Sequence, residues 1–354
     1  VARYLKRDGK QLTAGERVYD LGRYRRVYPI GFGKAALPMG QTAAQILGEY
    51  LTARVLITKQ GYGLLPGEAG ETRLTLLEAS HPLPDESSLS ATSRLLALLE
   101  TTGEDDLVIC LVSGGGSALL TQPAEGLSLK DIQDTTRVLL GCGASIHEIN
   151  TLRKHLDRVK GGGLARLVSP ADLITLILSD VIGDPLDLIA SGPTVADPAG
   201  FGDALAVLER YAIHRQVPAA VLDYLQQGIA GKQPETLKED DPVLAHVYNL
   251  LVGSNRLAAR AAVLQARSEG LSAELLGTAL QGEACQAGRF LAALAKGLAY
   301  HEGEVPLPAC WVVGGEATVT LHNVTGKGGR NQEMALGAVP DLAGVPGVYL
   351  VTLA

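Results

Sequence analysis

Aromatic residues are few in this sequence. Three phenylalanines, one tryptophan and eleven tyrosines make up 4% of its 354 residues. The core must therefore be packed by Leu, Ala, Val and Ile, and the 46% hydrophobic content is ample for it. Cysteine is scarce as well. Cys110, Cys142, Cys285 and Cys310 stand singly with no CxxC pair, which argues against a zinc cage or a redox motif. Cys110 and Cys310 lie in apolar runs and read as small core residues. No apolar run reaches the roughly 20 residues of a membrane-spanning helix. No stretch combines a charged start, an apolar middle and a small-residue cleavage site. The expectation is a cytoplasmic protein with no membrane partner. Positive charge is not in excess: a net charge of -7 argues against a general nucleic-acid binder. The seven histidines form no HExxH or other metal-ligand cluster. GxSxG is absent, which leaves a hydrolase triad without support. GxxxxGK[ST] is absent too.

What is abundant is glycine: 42 residues, about 12% of the chain against roughly 7% on average. Much of the excess falls between β-branched runs and helical patterns. The patterns predict strands at Arg26–Ile30, Ala53–Thr58, Leu74–Glu78, Leu107–Val112, Leu173–Leu178, Leu250–Val252, Ala309–Val313, Thr318–Leu321 and Tyr349–Thr352. They predict helices over 35–48, 86–101, 128–141, 148–159, 202–211, 218–228, 255–269, 281–301 and 331–339. This alternation points to an α/β fold with a mostly parallel sheet. "LVICLV" and "LITLIL" are continuous apolar runs suited to burial on two faces. The length suggests two domains. "AGKQPETLKEDDP" (230–242) is the best linker, giving a first domain over 1–240 and a second over 243–354. The chain opens at Val1 and stops at "GVYLVTLA", and further sequence is expected beyond each end, leaving the second domain incomplete.

One arrangement recurs: a strand, a glycine-rich loop, then a helix. It occurs at "YPIGFGKAALPM", "CLVSGGGSALL", "LLVGSNRLAA" and "GKGGRNQEMAL". In open parallel sheets ligands sit beyond the carboxyl ends of strands, where helix N-termini favour anions. Ser113, Gly114, Gly115, Gly116 and Ser117 have the make-up of a phosphate cradle. "GFGKAA" is a loose GxGxxA, and Lys34 at its loop–helix junction is placed to meet an anion. A dinucleotide fold would want an acid at the end of the next strand, but Lys59 stands there; it could face a 2′-phosphate.

Other stretches carry candidate chemistry. In "EINTLRKHLDRVKGGGLARL" helical spacing puts Asn150, Lys154, Asp157 and Lys160 or Gly161 on one face, with Arg153 and Asp157 able to pair at i,i+4. This reads as a salt-bridged surface helix or as a basic face toward phosphate. Asp180 and Asp184 flank Gly183 in a loop after a strand. They could hold Mg²⁺, Asp180 could take a proton from a substrate hydroxyl, or the two could simply cap the loop. Ser191 and Thr194 are candidate donors in "ASGPT". The segment 314–337 reads as a hairpin followed by a helix. Lys327, Arg330 and Asn331 lie around that loop–helix junction, with Glu316 and Glu333 nearby. Arg offers a fork suited to carboxylate or phosphate, while Glu333 reads as a helix-start residue. His81 in "ASHPLPDE" reads as a loop residue.

Taken together, "GFGKA", "SGGGSALL", "GASIHEINTLRKHLDRVKGGGLA", "SDVIGDPLDLIASGPT" and "GGEATVTLHNVTGKGGRNQE" resemble the type II glycerate kinases, which carry the MOFRL domain. The resemblance runs from Arg26 to Ala354. It implies a large Rossmann-like N-terminal domain with a doubly wound parallel sheet and a second, smaller α/β domain. It implies phosphorylation of D-glycerate by ATP with a divalent cation such as Mg²⁺, giving 2-phosphoglycerate rather than 3-phosphoglycerate, in the cleft between the domains. Lys34, Asp180 and Arg330 match the motif positions expected to be catalytic, and Ser113–Ser117 match the Ser-Gly loop. The "TDGxDGPTDAAGA"-like segment that usually follows the last strand would begin where this chain stops.

On this reading Lys34 and Arg330 bind the carboxylate and the moving phosphoryl group, and Asp180 orients or deprotonates the hydroxyl, or holds Mg²⁺ with Asp184. Asn150, Lys154, Lys327 and Asn331 join the loop as substrate or phosphate contacts, and a homodimer is allowed. Two other readings stay open: an NADPH-dependent hydroxypyruvate reductase, and a non-catalytic sugar-acid or phosphate-binding protein.

Overall fold

The computed structural model describes residues 1–63, 73–300, 305–321 and 327–353. The chain divides into two compact units, Val1–Ser179 with Pro185–Val252, and Asp180–Asp184 with Gly253–Ala354.

The first unit opens with an antiparallel meander of β1 (Leu5–Asp8), β2 (Gln11–Ala14) and β3 (Arg17–Asp20). Strand signals there are weak, because each four-residue run mixes charge with one or two apolar positions. Tertiary burial decides the outcome: Leu5, Leu12, Ala14 and Leu21 join the core beside Val27, Leu47 and Leu56. β4 (Arg26–Phe32), α1 (Ala36–Leu47), β5 (Arg54–Lys59), β6 (Leu74–Ala79), α2 (Glu86–Leu99), β7 (Asp106–Val112), α3 (Gly116–Leu119), α4 (Leu129–Gly141), α5 (Ile146–His155), α6 (Gly163–Val168), β8 (Asp172–Leu178), α7 (Phe201–Arg210), α8 (Ala219–Ile229) and β9 (Val247–Gly253) follow.

Six strands make one sheet in the order β6-β5-β4-β7-β8-β9. Its pairs β6–β5, β5–β4, β4–β7 and β7–β8 are parallel. Counted within the sheet this is the doubly wound order 3-2-1-4-5-6, whose direction of winding reverses between β4 and β7. Every residue of β7 is buried. Its side chains alternate between faces: Leu107, Ile109 and Leu111 pack with the meander and α1, and Val108, Cys110 and Val112 point the other way. A separate helical core gathers Ile132, Leu152, Phe201, Leu208 and Leu225 from α4, α5, α7 and α8.

The second unit carries α9 (Asn255–Ser268), β10 (Ser272–Leu280), α10 (Ala284–Ala299), β11 (Ala309–Gly315) and α11 (Arg330–Leu342). β10 and β11 pair in parallel. β10 escapes the sequence pattern because Gly277 interrupts it, and the register shifts on each side of that residue.

Three expectations are corrected. The helix predicted over 148–159 ends at His155, and the chain turns before Asp157. Thr318–Leu321 is no strand and forms no hairpin arm within the described residues; Thr318 makes only an isolated bridge to Glu283. Tyr349–Thr352 is unpaired, with Tyr349 and Val351 exposed, since an apolar run becomes a strand only beside a partner. The polar segment 230–242 lies inside the first unit. It is tied down there: the Leu237 amide donates to the Gly161 carbonyl, the Leu237 carbonyl accepts from Asp197, and the Leu237 side chain is buried.

Candidate active site at the sheet switch point

The loops after β4 and β7 leave the sheet side by side, because Phe32 and Val112 are register partners. This is the reversal point, where doubly wound sheets open a crevice. The loops are stapled together. Ser113 N–H donates to the Phe32 carbonyl (3.1 Å) and Lys34 N–H to the Gly114 carbonyl (3.0 Å). Ala35 N–H donates to Ser113 Oγ (3.0 Å). Gly33 lies at φ +127°, and a Cβ there would fall 2.2 Å from Ser113 Oγ and 2.5 Å from its carbonyl oxygen. Glycine is what lets the two loops touch.

Among the described residues, the amides of Gly114, Gly115 and Ser117 donate no hydrogen bond, whereas Gly116 N–H donates to the Ser113 carbonyl. Lys34, half-buried, stands beside this loop: a Cβ on Gly115 would lie 3.6 Å from Lys34 Cε and 3.0 Å from His81 Cδ2. Ser117 is positioned from behind. Its hydroxyl is 3.0 Å from Ser191 Oγ, which donates to Asn150 Oδ1 at 2.8 Å, and both partners are buried. Asn150 thus acts on the loop through Ser191. Thr194 Oγ1 donates to Asn249 Oδ1 instead.

A cavity of about 180 Å³ opens beside Gly115 and Ser117. His81, Pro82, Thr121, Ile132, Arg153, Asp157 and Lys160 are among its walls, all in the first unit. The turn after α5, rather than a helical face, brings Asp157 and Lys160 here. Lys160 Nζ donates to Asp157 Oδ2 (2.6 Å), the Leu120 carbonyl (2.8 Å) and Thr121 Oγ1 (3.1 Å). Asp157 also accepts from Thr121 Oγ1, from the Gln122 amide and from the Val159 amide. Burial pushes the Lys160 ammonium and the Arg153 guanidinium below their usual ranges, and the Asp157 charge pulls each partly back. Lys154 turns elsewhere. Its buried ammonium sits between Asp187 and Asp197, 3.0 Å from each, so it adds no free positive charge to a phosphate site. Lys59 ends β5 with Nζ 5.5 Å from the Tyr62 ring.

The remaining candidates belong to the second unit. Asp180 is exposed, and Asp184 is half-buried at φ +57° with its amide on the Val181 carbonyl. Arg330 is the first residue of α11. Its guanidinium pairs with Glu316 and donates to the Ala317 carbonyl (3.3 Å). Lys327 is exposed, and the Asn331 carbonyl accepts from Thr352 Oγ1 (2.9 Å). Gly329 precedes α11 with no side-chain cap, and Glu333 N–H donates to the Gly329 carbonyl. Residues 322–326 of the expected hairpin lie outside the described residues. The sequence pattern offers Arg153 an ion pair with Asp157, places His81 in a loop as the structure does, and does not single out Thr121. Nothing in local spacing shows that these three face one cavity.

Comparison with known proteins agrees with this architecture. Residues 309–354 match the MOFRL family, and residues 1–226 match a domain of unknown function, DUF4147. The glycerate 2-kinase of Pyrococcus horikoshii is 44% identical over 318 residues, 90% of this chain and 70% of that protein. The crystal structure of a glycerate kinase from Thermotoga maritima is 41% identical and superposes with a TM-score of 0.79, covering 91% of this chain and 73% of that one. The chain belongs to the glycerate kinase family. A putative hydroxypyruvate reductase of Agrobacterium vitis, 40% identical over 92% of this chain and 71% of its own, is similar too. Family membership makes kinase the enzyme class. Among the described residues no helix is long and apolar enough to cross a membrane.

Proposed function

We propose that this chain transfers the γ-phosphoryl group of ATP to the 2-hydroxyl of D-glycerate, releasing ADP and 2-phosphoglycerate. The observation that carries the reading is the switch-point site: Lys34 beside three undonated amides, in a chain of the glycerate kinase family. Phosphoryl transfer asks a protein for positioning and charge neutralisation more than for covalent chemistry, and these are the groups that supply both. The name of the Pyrococcus relative supports position 2. Lys34 and the 113–117 loop belong to the first unit, and Asp180 and Arg330 to the second. In this reading Asp180 orients or deprotonates the hydroxyl, Arg330 takes phosphoryl or carboxylate charge, and Lys327 and Asn331 assist it.

Mg²⁺ fits the chemistry of the donors present. Among the described residues no three His, Cys, Asp or Glu side chains cluster for a metal. Mg²⁺ usually takes one or two carboxylates and completes its shell with water and substrate phosphates. Asp180 and Asp184 would hold it, and it would neutralise phosphate charge.

Phosphorus NMR of a reaction of D-glycerate, ATP and Mg²⁺ tests the proposal. A 2-phosphoglycerate resonance growing in step with ADP is the expected result. A 3-phosphoglycerate product overturns the regiochemistry, and ADP release independent of glycerate overturns the acceptor. The Agrobacterium relative's name keeps a reductase as the second reading. Lys59 stands where NAD-binding folds carry an acid. No fall in absorbance at 340 nm with hydroxypyruvate and NADPH is expected, and a fall would favour the reductase.

A further inference from the structure

Arg153 is the cation of the pocket wall that, among the described residues, donates no hydrogen bond. Lys160 has its three donors engaged by Asp157, Leu120 and Thr121, and Asp157 offsets its charge. Lys154 lies between two carboxylates. Among the described residues no acceptor takes a hydrogen bond from Arg153, although its guanidinium lines the cavity and is partly withdrawn from water. A guanidinium desolvated without a partner is costly unless a ligand supplies one.

We propose that this cavity seats the carboxylate end of the acceptor, with Arg153 as the residue that recognises it. The proposal rests on the glycerate kinase reading and assigns the acceptor's carboxylate to Arg153 instead of Lys34 or Arg330. Three observations carry it. The wall sets two cations, Arg153 and Lys160, against one carboxylate, Asp157, and the single surplus charge matches one carboxylate, which a guanidinium binds through two parallel N–H donors. The volume of about 180 Å³ suits a three-carbon acid; pockets for drug-sized ligands measure roughly 300 Å³ or more. Finally, the Ser117 hydroxyl, which donates to Ser191 because Ser191 donates to Asn150, faces the same space with its lone pairs free to accept from a hydroxyl of the acid. Gly115 borders both this cavity and Lys34, so the acid's hydroxyl end would point toward the lysine that meets phosphate. The site would thereby prefer hydroxy acids to uncharged polyols such as glycerol.

Steady-state kinetics of the full chain and its Arg153→Ala and Arg153→Lys variants tests this. In Arg153→Ala the KM for D-glycerate should rise roughly 10- to 100-fold, the range for a lost charge-assisted hydrogen-bond pair, with the KM for ATP unchanged. The preference for D-glycerate over glycerol in kcat/KM should fall by a similar factor. Arg153→Lys keeps the charge without the fork and should fall between; it decides the matter if the alanine variant melts early. A rise in the KM for ATP alone, or no change in either KM, overturns the assignment. Calorimetric titration with D-glycerate and no ATP separates this from the function reading. If the wild type binds glycerate and Arg153→Lys binds it more weakly, the pocket stands even where no turnover is seen. Equal binding by the two overturns it.

Discussion

Ser113 Oγ accepts the Ala35 amide at 3.0 Å, tying together two loops that leave strands separated by a long stretch of chain. That contact marks the reversal point of the sheet. It exists because β4 and β7 pair in register and because Gly33 has no side chain to hold the loops apart.

Gly33→Ala should therefore be costly. The φ of +127° and the 2.2 Å approach of the new Cβ to Ser113 Oγ combine backbone strain with overpacking, together about 2–4 kcal/mol. A lower urea midpoint measures it. Adding Ser113→Ala should not restore the loss, because the Ser113 carbonyl oxygen, 2.5 Å from the same Cβ, remains.

Lys34→Ala and Arg330→Ala should each lower kcat/KM by about 2–4 kcal/mol of transition-state stabilisation, the range for a lost charge-stabilising donor. Melting temperatures should barely move. Lys34 has no side-chain partner among the described residues, and Arg330 loses an ion pair that is 49% exposed on the arginine side, worth about 1 kcal/mol at most. Unchanged kinetics for either variant would remove that residue from the reaction.

Glu235 should govern part of the acid stability. Burial pushes its carboxyl up, but His155 Nε2 at 2.9 Å and the Thr236 and Phe201 amides outweigh that and hold it at about 2, below its ordinary 4.5. A carboxyl lowered on folding contributes stability above its unfolded value, and the contribution fades as pH falls from about 4.5 toward 2. Melting curves taken from about pH 7 down to about pH 3 should fall less steeply below the ordinary carboxylate range for Glu235→Gln than for the wild type. Parallel falls would exclude Glu235 as a source of the acid loss.

Local chemistry was plain to read where it was dense. The buried strands "LVICLV" and "LITLIL" announce themselves as unbroken apolar runs, and the loops "GFGKAA" and "SGGGSALL" as glycine-rich strand exits. The helix 148–159 was over-extended because spacing alone does not show that Asp157 is drawn into a buried pair with Lys160. The meander was missed because its four-residue strands mix charge with few apolar positions and are settled by docking Leu5 and Leu12 on the sheet.

An α/β alternation, a core of aliphatic side chains, and glycine-cleared loops at the ends of buried strands are all legible in the chain's local pattern. These follow from short-range periodicity and from the conformational freedom of glycine. Packing in three dimensions alone sets that β4 lies beside β7, that Gly33 touches Ser113, and that Arg153, among the described residues, donates no hydrogen bond while Lys154 and Lys160 are held by carboxylates. Each of those depends on which distant groups burial brings within hydrogen-bond reach, and no local pattern encodes that competition.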